Sequence, residues 1–172
     1  MTPAFARAFA AVVVVEGGYT RDAADPGNWT GGAVGAGELR GTKYGISAAA
    51  YPTLDIAALT ISVAAALYRP RYWDVIAGDA LPWPVALIAF DCAVNQGPGI
   101  AARILQLALG VVADGVVGPV TIAAAARFAR GPSPVVVEIA ARRAVRYAAG
   151  DMAHFGLGWM RRLMTMTAKA VA

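Results

Sequence analysis

The sequence predicts an all-α chain, with one long irregular loop following the first helix. Three observations carry this. Hydrophobic residues make up 58% of the 172 residues, most of them Ala and Val, and Ala is the strongest helix former. Strict alternation of β-branched and aromatic residues is scarce, which argues against a sheet-based fold. Gly and Pro fall between segments of helical length, where they punctuate rather than interrupt. The length suits one compact domain that buries its core without covalent staples.

Taken in order, residues 3–15 read as a helix, because Pro near a helix start has no N–H partner to lose. Gly17 and Gly18 then end it, since Gly takes the left-handed cap without strain. Residues 17–45 are rich in Gly, Asp, Asn and Thr and lack a helical period, with room for a small hairpin. Loops of this length inside a compact domain are functional or disordered. This one carries Tyr19, Trp29 and Tyr44, so an ordered, functional loop is expected. Residues 47–51 read as a short turn of helix stopped by Pro52. Thr60 caps a helix to Tyr68, bent or ended by Pro70. Residues 83–95 form the most apolar helix and are expected at the centre. Gly97-Pro98-Gly99 breaks it, and a helix over 100–109 follows, ending at Gly110. Asp114-Gly115-Val116-Val117-Gly118-Pro119 is a turn. Helices over 120–128, 134–154 and 156–169 complete the chain.

Composition excludes several classes of function. Apolar stretches such as 56–68 and 80–90 fall short of the ~20 residues a membrane span needs. Residues 7–16 lack a small-residue cleavage site, so no signal peptide is read. The expectation is synthesis in the cytoplasm and action in the periplasm or cell wall after release by a holin or another route. Cys92 is the single cysteine and His154 the single histidine, which leaves no zinc signature and no expected metal or cofactor. The lone His also narrows hydrolytic chemistry towards carboxylates. Net charge is +4, which suits an anionic polymer. No basic run with interleaved aromatics marks a nucleic-acid groove.

Glu16 stands out physically. It follows four consecutive valines, Val12 to Val15, and sits at a helix C-terminus, where the backbone dipole is negative. Both effects disfavour the carboxylate and raise its pKa, and a protonated Glu serves as a general acid. From position alone an ordinary surface Glu at a fraying helix end is the commoner explanation. The sequence around it alters the balance. It reads Glu16-Gly17-Gly18-Tyr19, then Asp25-Pro26-Gly27, then Thr42-Lys43-Tyr44-Gly45-Ile46. This ordered set resembles the glycoside hydrolase family 108 muramidases of the lysozyme-like superfamily. Tyr68-Arg69-Pro70-Arg71-Tyr72-Trp73-Asp74 and Phe90-Asp91-Cys92-Ala93-Val94-Asn95-Gln96-Gly97-Pro98 are similar to later family segments. Asp114-Gly115-Val116-Val117-Gly118-Pro119-Val120-Thr121 resembles a turn in the family's C-terminal peptidoglycan-binding region. One departure is that residues 28–40 lengthen the link between Asp-Pro-Gly and Thr-x-Tyr-Gly-Ile.

The resemblance implies a lysozyme-like helical fold, with residues 1–96 as a catalytic lobe and 97–172 as a peptidoglycan-binding lobe. It implies cleavage of the β-1,4 bond between N-acetylmuramic acid and N-acetylglucosamine, with Glu16 protonating the leaving oxygen. Asp25 is the candidate second carboxylate, with Asp22 behind it. Asp before Pro-Gly is equally well explained as a turn former. Thr42 is placed to hold the attacking water or to contact substrate. Tyr19, Asp22, Asn28, Trp29, Tyr44 and Asn95 are the candidate substrate contacts. Tyr72, Trp73 and Trp83 are assigned to the core. Asp91 and Asn95 share a helix face, Asp91 in a structural role and Asn95 undecided. The expected partner is the glycan strand, met by a monomer without membrane insertion. A lytic transglycosylase and a non-catalytic wall-binding module are the competing readings.

Overall fold

A computed structural model describes residues 1–16, 18–128 and 134–172, and their side chains except those of Val14, Val15 and Glu16. Among the described residues there are seven α-helices and one two-stranded sheet. In chain order these are α1 (Pro3–Glu16), β1 (Thr42–Lys43), β2 (Ile46–Ser47), α2 (Ile61–Tyr68), α3 (Trp83–Gln96), α4 (Pro98–Leu109), α5 (Pro119–Ala126), α6 (Pro134–Ala148) and α7 (Met152–Val171). The all-α expectation holds, and the hairpin after α1 is present. The cap expected at Gly17 lies outside the described residues.

The chain forms two compact units, one of Met1–Ala8 with Tyr68–Ala172 and one of Phe9–Leu67. Compactness thus groups α3 with the C-terminal helices rather than with the loop-bearing segment. The reason is visible along α3, where residues Val85 to Ala93 are buried without a break. Such a helix needs neighbours on every side, and α4, α6 and α7 pack against it. At its N-terminal end Phe5, Trp73 and Phe90 form a mutual aromatic cluster. Ring centroids lie 5.5 Å apart for Phe5–Trp73, 5.9 Å for Phe5–Phe90 and 5.4 Å for Trp73–Phe90. Trp73 is buried, as expected, while Tyr72 and Trp83 are half-buried. The Arg7 guanidinium lies 3.8 Å over the Trp83 ring.

Polar side chains lock this unit. Asp91, wholly buried, accepts from Arg143 Nη2 of α6 at 2.6 Å and from Arg162 Nε of α7 at 2.8 Å. It therefore joins helices rather than bonding the Gly97-Pro98-Gly99 turn. Gln106 of α4 clamps the turn before α5. Its Nε2 donates to Asp114 Oδ1 at 2.6 Å and to Val116 O at 3.0 Å, and its Oε1 accepts from Gly115 N at 2.8 Å. Asp114 also accepts from Val116 N, and these bonds hold its carboxyl below the usual range. The Asp-Gly turn is thus an anchored connector into α5.

Two of the expected elements are corrected. Residues 47–51 are not helical: Ser47 pairs with Thr42 in the hairpin, and only Tyr51 N→Ser47 O, at 3.1 Å, resembles a helical turn. At α2 the boundary is as expected: the helix ends at Tyr68, and at Pro70 the chain widens into a π turn over Arg69–Trp73, closed by Asp74 N→Arg69 O at 2.9 Å. A wider turn accommodates the ring that a regular one rejects. The second correction concerns the last two helices, which part at Gly150 and not at Gly156. Asp151 caps α7 by accepting from His154 N at 3.0 Å, whereas Gly156 is an interior helical residue. A capping carboxylate outweighs a tolerated glycine.

Candidate active site

The loop after α1 is folded, and its order comes from hydrogen bonds more than from apolar burial. Asp22 Oδ1 accepts from Ala24 N at 2.9 Å, and Asp25 Oδ1 accepts from Gly27 N at 2.8 Å. Asp25 thereby caps a short 3-10 turn, Pro26–Asn28. Both carboxylates use a side-chain oxygen to close their own turn, as short acidic side chains do. Asp25 is exposed, and its second oxygen has no hydrogen bond among the described residues.

Asn28 is the hub. Its side chain is fully buried and donates from Nδ2 to Asp22 O at 2.9 Å. Its carbonyl accepts from Arg40 N at 2.9 Å and Gly41 N at 3.0 Å. Trp29 donates from Nε1 to Ala23 O at 2.9 Å and bridges Leu39. Thr30 N donates to Glu38 O, and Glu38 N returns to Thr30 Oγ1, both at 2.9 Å. The lengthened link at 28–40 is therefore a narrow β-like finger, with Asn28 and Trp29 as its struts.

The next element brings distant motif parts together. Thr20 N donates to Thr42 O at 2.8 Å, and Thr42 N to Thr20 O at 2.9 Å. The segment leaving Glu16 thus lies antiparallel to the strand that carries Thr42. The close approach needs Gly41, whose φ is +85° and where an added Cβ would sit 2.3 Å from Thr20 O. The hairpin closes through Tyr44 and Gly45, both at positive φ, 55° and 71°. That is the pattern of a type I′ turn. Tyr44, a residue that rarely adopts this conformation, lies beneath Lys43 Nζ at 5.5 Å from its ring centroid.

Of the predicted residues, then, Tyr19, Asp22, Asp25, Asn28, Trp29, Thr42 and Tyr44 belong to one hydrogen-bonded loop system within Phe9–Leu67. The Glu16 backbone ends α1, and its side chain lies outside the described residues. Asn95 belongs to the other unit, where its Oδ1 accepts a hydrogen bond from Tyr147 Oη. Sequence reasoning passed over Arg21, Arg40 and Asp55. With Tyr19 they line a groove of about 440 Å³. Tyr19 Oη donates to Arg40 O at 3.3 Å, and Arg21 Nε to Leu39 O at 3.0 Å. Only the folding of 28–40 back towards Thr20 brings these side chains together, and no local pattern announces it. One aromatic ring, Tyr19, among hydroxyl and guanidinium donors suits a sugar polymer.

Comparison with known proteins agrees. Residues 9–97 match the family described as Glycosyl hydrolase 108, and residues 100–164 match the one described as Predicted Peptidoglycan domain. The chain is also similar to the solved structure of Brucella abortus SagA, at 31% identity and a TM-score of 0.77, covering 96% of this chain and 92% of that one. No curated protein matches. The chain belongs to glycosyl hydrolase family 108 and is a peptidoglycan hydrolase of lysozyme-like, all-α fold.

Proposed function

We propose that the chain is an N-acetylmuramidase, hydrolysing the β-1,4 bond between N-acetylmuramic acid and N-acetylglucosamine, with Glu16 as general acid. The observation that supports it best is the Thr20–Thr42 pairing. It ties the strand bearing Thr42 to a residue four positions beyond Glu16, so the motif elements act as one structural unit. In this reading Asp25 activates the attacking water through the oxygen its turn leaves free, and Thr42 orients that water. Thr42 is half-buried, and its hydroxyl has no hydrogen bond among the described residues. Residues 1–96 carry the catalysis, and residues 97–172 hold the wall.

The test is digestion of purified peptidoglycan by the wild type and Glu16→Gln, with products read by mass spectrometry. Wild type should release new reducing ends. Glu16→Gln should lose at least about a hundredfold in rate, the usual worth of a positioned proton donor. Anhydro ends would make the protein a lytic transglycosylase instead, and equal rates would remove Glu16 from the mechanism.

A further inference from the structure

A second groove, of about 560 Å³, lies between α4 and α6. Its walls are two helical stripes. Ile100, Arg103, Ile104 and Leu107 recur at i, i+3, i+4 and i+7 on α4, and Glu138, Arg142, Val145 and Arg146 form the facing stripe on α6. The repeat keeps each set on one face, so the groove is built along its length. The lining is mostly apolar, yet Leu107 is 46% exposed and Val145 72% exposed. Three guanidiniums face a single carboxylate. Arg142 spends one nitrogen on Glu138, at 2.7 Å, while its Nε is sealed from solvent without an acceptor. Arg103 is held in place by donating to Ala113 O at 2.6 Å. Arg146 is exposed and has no ion pair among the described residues. No aromatic ring lines the groove.

These features select one part of peptidoglycan. Its sugars are N-acetylated and, where the muramoyl lactyl group carries a peptide, uncharged; carbohydrate sites stack such sugars on aromatic rings. The charge resides on the stem peptide, which presents free carboxylates beside small alanine methyls. Guanidiniums bind carboxylates by charge-assisted bonds, and an apolar floor with no ring fits methyls better than sugar faces. The volume lies within the range of small-ligand sites.

We propose that the α4–α6 groove takes the stem peptide of peptidoglycan, its carboxylates on Arg142 and Arg146 and its alanine methyls on Ile104 and Leu107. This rests on peptidoglycan as the substrate, but not on Glu16 or on which glycosidic bond is cut.

The test is calorimetric titration of the whole protein with a synthetic L-Ala-γ-D-Glu-meso-diaminopimelate-D-Ala tetrapeptide, with peptide-stripped glycan strands as comparator. The peptide should bind wild type and weaken in about 0.5 M salt, where surface charges are screened. Arg146→Glu should bind about tenfold more weakly, the worth of one charge-assisted bond. Leu107→Asp, at a half-exposed site, should weaken it too, and binding of stripped glycan should be unchanged in both variants. Cleavage of stripped glycan by wild type and Glu16→Gln reads the catalytic proposal separately, because that substrate carries no peptide. The inference is overturned if wild type does not bind the peptide, or if both variants bind it as wild type does. It is equally overturned if Arg146→Glu abolishes instead a wild-type affinity for phosphatidylglycerol vesicles or a wild-type dimer.

Discussion

Asp25 does two things with one side chain, and substitutions can separate them. Its Oδ1 caps the Pro26–Asn28 turn by accepting from Gly27 N at 2.8 Å, a bond that Ser reproduces and Ala does not. Asp25→Ala should lose about 1 kcal/mol of stability in urea unfolding, and Asp25→Ser little. Both should cut the rate on peptidoglycan by about a hundredfold if the carboxylate acts on water. Full activity in Asp25→Ser would leave Asp25 as a turn former and nothing more. Cys92 poses a simpler case. Burial pushes its thiol up to about 11, against an opposing effect of Arg143 and with a further push from Asp91. The folded value lies above the unfolded one, so this contribution to stability is complete below the unfolded pKa of about 8.5 and fades as pH rises towards the folded value. A thiol reagent at pH 8 should leave the native protein unmodified and react fully once denaturant is added.

Elements show where sequence reading succeeds. Helices with a clear apolar period and a Pro or Gly at the end, such as α3 and α4, were legible. The break between α6 and α7 was not. Gly156 is the more conspicuous residue, while Asp151 acts through a hydrogen bond that exists only after the chain turns at Gly150. The finger at 28–40 was legible as an ordered loop but not as a β-like pair, because backbone bonds such as Thr30 N→Glu38 O leave no hydropathy pattern. The groove at Tyr19 was hidden for the same reason, since Arg21 and Arg40 meet only through that pairing. The hairpin offers its own experiment. Tyr44 stands at φ 55° beside Gly45, a place where Asn-Gly is the preferred pair. Tyr44→Asn should raise stability by about 0.5 to 1 kcal/mol in thermal or urea unfolding, relieving the left-handed strain. If the ring contacts sugar, the same variant should nonetheless raise KM for soluble glycan strands. A stable variant with unchanged KM would remove Tyr44 from the substrate site.

On the scale of the whole molecule, Asp91 matters most. It is wholly buried and pairs with arginines from two helices. Removing one partner of a buried ion pair strands the other, at a cost of about 3–5 kcal/mol. Asp91→Ala should lose that much in urea unfolding; a loss under about 1 kcal/mol would show that the arginines find other partners. The cost has a wider bearing. Glycosyl hydrolase 108 ends at residue 97 and the peptidoglycan domain begins at residue 100. Asp91 lies before that join, and Arg143 and Arg162 lie after it. A buried ion-pair cluster thus ties together the regions matched by the two families. A gene that exchanged its second half at this point would inherit an acid with no base to meet it, so the halves pass on together or must each be repaired.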